Sequence, residues 1–193
     1  MTIAILGWGS LVWDPRNLEI DKTIGQNGWF DDGPMLPIEF ARISKGPRLT
    51  LVIRPESELV QILYAISNYE NLEEAISSLR EREGCNKQSI GVYDKNEISF
   101  SNSEFLFKSN IELWIEEKEE IDAAIWTNLS ENFQEKTQLP FNEKNVFNYL
   151  NNLVSQEQTN AKEYICKAPA IIDTPVRRAI EISLGWKKIE NNQ

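Results

Sequence analysis

Apolar and polar positions divide the chain into stretches of different period. Near the start, Ile3-Ala4-Ile5-Leu6 is an unbroken apolar run that gives way to Gly7-Trp8-Gly9-Ser10-Leu11. A short continuous run of this kind predicts a buried strand. The glycines after it predict a loop whose backbone enters φ/ψ regions closed to other residues. Ile38 to Ser44 and Leu49 to Ile53 predict paired strands joined across Lys45-Gly46-Pro47, and Leu59 to Ile66 predicts a further strand. Ser89 to Tyr93, Ile98 to Phe107 and Ala123 to Trp126 are also strand-like, the last placed as a closing strand. Roughly five to seven strands result, and they predict an α+β fold with a mixed sheet curled into a small barrel and helices packed on it.

Helical spacing appears in three places. From Asn71 to Gly84 the chain carries a capping Asn71, Glu74 three residues on, apolar Leu72, Ala75, Ile76 and Leu79, and Gly84 as a stop. Val146, Phe147, Leu150, Leu153 and Val154 predict a second helix. Thr174-Pro175 opens a third, with Val176, Ala179, Ile180 and Leu184 inward and Gly185 at its end. The organisation read from this pattern is a single domain, residues 1–193, with a barrel core over about 1–127 and a helical region over about 128–193. Between the first loop and Pro34, the polar stretch Trp13 to Gly33 reads as a long, partly structured loop that could cover a site.

Composition narrows the function. The formal charge of −10 and a pI near 4.7 would repel nucleic-acid phosphates, which favours small-molecule partners over nucleic acid. The absence of histidine excludes Ser-His-Asp and Cys-His catalysis and every imidazole metal site, leaving proton work to carboxylates. Cys85 and Cys166 stand apart rather than in a Cys-x-x-Cys pair, so no zinc site or disulfide framework is expected. No apolar run approaches a membrane span and no basic patch precedes an apolar leader, so the expectation is a cytoplasmic protein with no membrane, metal or cofactor partner. The glutamates between Glu112 and Glu120 read as a solvated face.

Two places could carry chemistry. The loop Trp8-Gly9-Ser10-Leu11 offers peptide N–H groups and a hydroxyl to an anionic or carbonyl oxygen; a plain tight turn is the other reading. On the Asn71–Gly84 helix, at about 100° per residue, Glu83 falls in the middle of the apolar stripe, four past Leu79 and seven past Ile76. Partial burial and the negative end of the helix dipole both push its carboxyl toward a higher pKa, which suits a proton shuttle. The alternative is a frayed last turn that returns Glu83 to water. Glu39, Arg42 and Arg48 read as an exposed face or an ion pair, or one of them as a ligand contact. Arg177 and Arg178 read as surface residues, or as positive charge for an anion site.

A strand followed by an aromatic-Gly-Ser-Leu loop, further strands, the segment Leu63-Tyr64-Ala65-Ile66 and a helix closing on Glu83-Gly84 resembles the gamma-glutamylcyclotransferase superfamily over approximately residues 2 to 95. The resemblance implies that Trp8, Gly9, Ser10 and Leu11 hold the γ-glutamyl part of a substrate. It also implies that Glu83 is the general acid/base in the release of 5-oxoproline from a γ-glutamyl amide, without cofactor. The family usually has Tyr where this chain has Trp8, which removes a hydroxyl and adds bulk, and no counterpart is found for a later tyrosine seen in some members. Two other readings stay open: a non-catalytic module of the same fold that binds a metabolite, and a structural protein in which Arg80 or Arg82 caps Glu83.

Overall fold

The computed structural model describes residues 1–102 and 104–189. The chain runs through β1 (Ile3–Gly7), α1 (Ser10–Trp13), β2 (Met35–Ile43), β3 (Leu49–Ile53), β4 (Leu59–Gln61), β5 (Leu63–Ile66) and α2 (Leu72–Glu83). It continues through a 3-10 turn (Lys87–Ser89), β6 (Ile90–Asp94), β7 (Ser99–Phe100), α3 (Lys108–Glu116), β8 (Ala123–Thr127), α4 (Phe133–Thr137), α5 (Glu143–Asn151), α6 (Ser155–Lys167) and α7 (Pro175–Leu184). The architecture is α+β. Two compact units share the chain: the first takes Met1–Gly7, Asp14–Leu36 and Gln61–Leu129, and the second takes Trp8–Trp13, Pro37–Val60 and the segment from Ser130 on.

The first unit is built on a mixed five-stranded sheet in the order β5-β1-β8-β6-β7. All of β1 is buried, as its uninterrupted apolar sequence requires. It pairs antiparallel with β5, Gly7 opposite Leu63, and parallel with β8, Ile3 opposite Ala123. Strand β8 therefore lies in the middle of the sheet, not at a closing edge, and it pairs antiparallel with β6 on its other side. Helix α2 packs on β1, β6 and β8, and α3 packs on β8.

Among the described residues this sheet is not closed into a barrel. Closure needs a continuous ladder around the ring. At one edge β7 is only two residues long, and Ser101–Asn102 and Glu104–Phe107 after it carry no strand before α3 begins. At the other edge the polar stretch before Pro34 runs along β5: Phe30 and Tyr64 exchange backbone hydrogen bonds, and the N–H groups of Asp21 and Gly33 donate to Ile66 O and Ile62 O. That stretch buries Leu18, Ile20 and Trp29 and covers an edge that would otherwise be open to another strand.

Strands β2, β3 and β4 form a separate sheet in the order β3-β2-β4. The predicted single strand from Leu59 to Ile66 is thus two strands that belong to different sheets, broken at Ile62. The break is fixed by a close approach: a Cβ on Gly33 would sit 2.6 Å from Ile62 O, and Gln61 Nε2 donates to Gly33 O. The β2–β3 hairpin forms as the pattern predicts, with Ile38 opposite Ile53 and an irregularity between Phe40 and Arg42. In the second unit α6 packs on β3, and α5 packs on α6 and α7. Helices α1, α3, α4 and α6 have no counterpart in the pattern-based reading; α3 hides within the glutamate run by burying Ile111, Trp114 and Ile115 while Glu116 and Glu117 stay in water.

Candidate functional site

In the first unit, Glu83 is the last residue of a helix marked at both ends. The Asn71 side chain accepts from the N–H groups of Glu73 and Glu74. Gly84 turns left-handed at φ 61°, so its N–H donates to Glu81 O while Cys85 N–H donates to Arg80 O. This pair of bonds is a Schellman closure, and the last turn is not frayed. Ala75, Ile76, Ser78, Leu79 and Arg82 are buried on the inner face, whereas Glu73, Glu74 and Glu81 are exposed.

The Glu83 side chain is 19% exposed and accepts a hydrogen bond from Arg82 Nη1 at 2.8 Å. Arg82 is itself buried, and its Nη2 donates to Asp14 O at 2.7 Å. Burial raises the Glu83 pKa above the ordinary carboxylate value, against the opposing pull of Arg82 and of the more distant Arg16. The Glu83–Arg82 pair forms at a closed helix end. The spacing contained its signal, since Arg82 lies three past Leu79 on the same stripe.

In the second unit, Trp8, Gly9 and Leu11 are buried and Ser10 is half-buried. The loop turns directly into α1, with Val12 N–H donating to Gly9 O. Neither Gly7 nor Gly9 has a positive φ, contrary to the expectation of an unusual backbone conformation. Gly9 is needed for space: a Cβ there would lie 2.5 Å from the hydroxyl oxygen of Tyr164. Tyr164, on the apolar face of α6 with Ala161 and Ile165, meets Trp13 edge-on at 5.2 Å between centroids and Phe40 at 6.4 Å. The guanidinium of Arg48 lies over its ring, 5.7 Å from the centroid. Tyr164 was not singled out in the sequence; its only signal there is an aromatic at a stripe position of an unrecognised helix.

The remaining charged candidates take structural positions in the second unit. Glu39 is 2% exposed, neither on an exposed face nor in an ion pair. One carboxylate oxygen accepts from Phe40 N–H at 2.8 Å and the Thr174 hydroxyl at 2.5 Å, and the other accepts from Val176 N–H at 3.2 Å. It thereby ties β2 to the start of α7, where the helix dipole favours a carboxylate, although burial raises its pKa. Arg177 is fully buried, not on the surface, and donates to the carbonyls of Ala168, Pro169 and Ile172. Arg178 pairs with Glu58 and Asp173. Arg42 Nη1 donates to Ser130 O.

A groove of about 480 Å³ in the first unit is lined by Ile76, Gln88, Ile90, Val92 and Asn128, among others; neither Glu83 nor Trp8, Gly9, Ser10 or Leu11 lines it. Among the described residues no group of three or more His, Cys, Asp or Glu could hold a metal ion, and no helix is long and apolar enough to cross a membrane. No family model, curated protein or solved structure matches this chain.

Proposed function

We propose that the chain is a gamma-glutamylcyclotransferase-like enzyme that acts on a small γ-glutamyl amide. The α-amine attacks the γ-carbonyl carbon, a C–N bond closes a five-membered lactam, and the original amide C–N bond breaks to release 5-oxoproline and an amine. Glu83 takes the proton that the α-ammonium must lose and returns it to the departing nitrogen. The substrate brings its own nucleophile, so no covalent residue is needed, and holding the chain folded supplies several kcal/mol of the barrier reduction. The observation that carries this reading is the Glu83 carboxyl at a closed helix end, mostly withdrawn from water, with its pKa raised by burial. The loop Trp8-Gly9-Ser10-Leu11 has a separate task, binding the γ-glutamyl part.

The test is 5-oxoproline release from a panel of γ-glutamyl amides, followed by mass spectrometry. Glu83→Gln is expected to lower the rate by about 10²- to 10⁴-fold, the contribution of one positioned acid/base. Equal rates in the variant and the wild type would remove Glu83 from the chemistry.

The bond from Arg82 to Glu83 at 2.8 Å favours a second reading, a structural protein in which Arg82 caps Glu83 and the pair serves packing instead of proton transfer. On that reading the wild type binds no member of the panel and releases no lactam from any of them.

A further inference from the structure

Thirty acidic residues face twenty basic ones in this chain, so a cation has carboxylates in excess to choose from. Every other arginine donates to, or pairs with, a carboxylate or a backbone carbonyl. Arg48 is the exception: among the described residues its guanidinium has no carboxylate within ion-pair distance and no hydrogen-bond acceptor, and it lies over the face of Tyr164. The residue is half-buried, yet its guanidinium nitrogens are not among the buried unpartnered atoms, so its donors stay accessible to an incoming anion.

The side chain starts from a fixed base. Arg48 O accepts from Ser44 N–H at the mouth of the β2–β3 hairpin, and the neighbouring Pro47 O accepts from the Tyr149 hydroxyl at 2.6 Å. The hairpin thus delivers Arg48 to the ring of Tyr164, and the hydroxyl end of that same ring rests against Gly9. All of these residues belong to the second unit. An arginine on an aromatic face is held by cation–π attraction while its planar fork of N–H donors stays suited to a carboxylate.

We infer that Arg48 anchors a carboxylate of the ligand bound at the Gly9–Ser10 loop. This rests on the reading that the loop takes a γ-glutamyl group, and it assigns the α-carboxylate of that group to Arg48. Tyr164 is the spacer that sets the distance between the loop and the guanidinium. Arg48 is a specificity residue here: it selects ligands by their charge and takes no part in moving the proton.

The test pairs two ligands with two proteins. The ligands are γ-L-glutamylmethylamide, whose sole carboxylate is the α-carboxylate, and the same compound with that carboxylate converted to a carboxamide. Binding is measured by calorimetry on the Glu83→Gln chain, with and without Arg48→Met, which keeps an apolar stem over Tyr164. Arg48→Met is expected to weaken the carboxylate ligand about 10- to 100-fold and to leave the carboxamide ligand within about twofold. The carboxylate ligand alone should also lose affinity with added salt. Equal losses for both ligands would show that Arg48 merely supports the fold, and no loss for either, or no binding of the carboxylate ligand at all, would overturn the assignment. If Glu83→Gln does not fold, 5-oxoproline and its carboxamide serve on the wild-type background. If Arg48→Met does not fold, Arg48→Gln replaces it. A chain that shows the carboxylate-specific loss yet releases no lactam would keep the Arg48 assignment and sink only the catalytic reading.

Discussion

At Glu83 two opposing effects meet in one carboxyl group. Water exclusion raises its pKa, and Arg82 at 2.8 Å lowers it, with exclusion the larger effect. The folded chain therefore holds this proton more tightly than the unfolded chain. The resulting stabilisation is complete below the unfolded value near 4.5 and is lost as the pH rises through the folded value. Glu83→Gln cannot ionise, so its melting temperature should fall less than that of the wild type between pH 4.5 and pH 7; parallel curves would mean that the carboxyl is not perturbed. Glu83 was legible because its position follows from spacing. Glu39 was not, because a lone charge in an apolar strand gives no hint of partners 135 positions away. With all three of its donors satisfied only by a carboxylate, Glu39→Gln should present an N–H₂ group to a backbone N–H and destabilise the chain by about 1–3 kcal/mol in urea unfolding. A change below about 0.5 kcal/mol would show that the group relaxes into another pairing.

Elements whose signals are local were readable, and those defined by remote partners were not. Asn71 and Gly84 bound α2, and Thr174, Pro175 and Gly185 bound α7, because caps are chosen within a few residues of the helix they close. The central position of β8 depends on parallel pairing of Ile3 with Ala123, which no local pattern encodes. The same holds for β4 and β5, whose separation turns on Gly33 rather than on their own sequence. Gly91 is another such constraint. It stands opposite Trp126 across β6 and β8, and a Cβ there would overlap the indole, which is fully buried beside Phe105. The ring has no open side into which to retreat, so Gly91→Ala is expected to cost about 1–3 kcal/mol by overpacking, more than the change in strand propensity would return. Thermal unfolding followed by near-UV circular dichroism should show the loss together with an altered Trp126 environment. An unchanged melting temperature and spectrum would mean that β6 shifts freely.

On the scale of the whole molecule, the chain passes between its two units repeatedly, so sequence order and compact structure do not coincide. Residues 1–129 contain all of the first unit, but they also carry β3 and most of β2, which belong to the second unit together with the segment from Ser130 on. Within the second unit, Tyr164 lies against Phe40, Asn132 bonds Ile43 on both its N–H and its C=O, and the Thr174 and Val176 donors satisfy Glu39. Removing that segment strips Tyr164 from Phe40, which is fully buried in the intact chain, takes α6 from β3, and leaves a buried carboxylate without two of its three donors. Such an apolar side chain contributes about 1.5–3 kcal/mol by burial, and a domain has only about 5–15 kcal/mol in reserve. A chain cut after Leu129 should therefore bind a hydrophobic dye strongly and aggregate, even though every residue of the five-stranded sheet is present. Co-expression with residues 130–193 as a separate polypeptide should restore a soluble complex with a cooperative melt. A monomeric 1–129 fragment that melts cooperatively and binds no dye would show that the first unit tolerates the orphaned hairpin, and that the contacts to α6 and α7 contribute far less than their burial indicates.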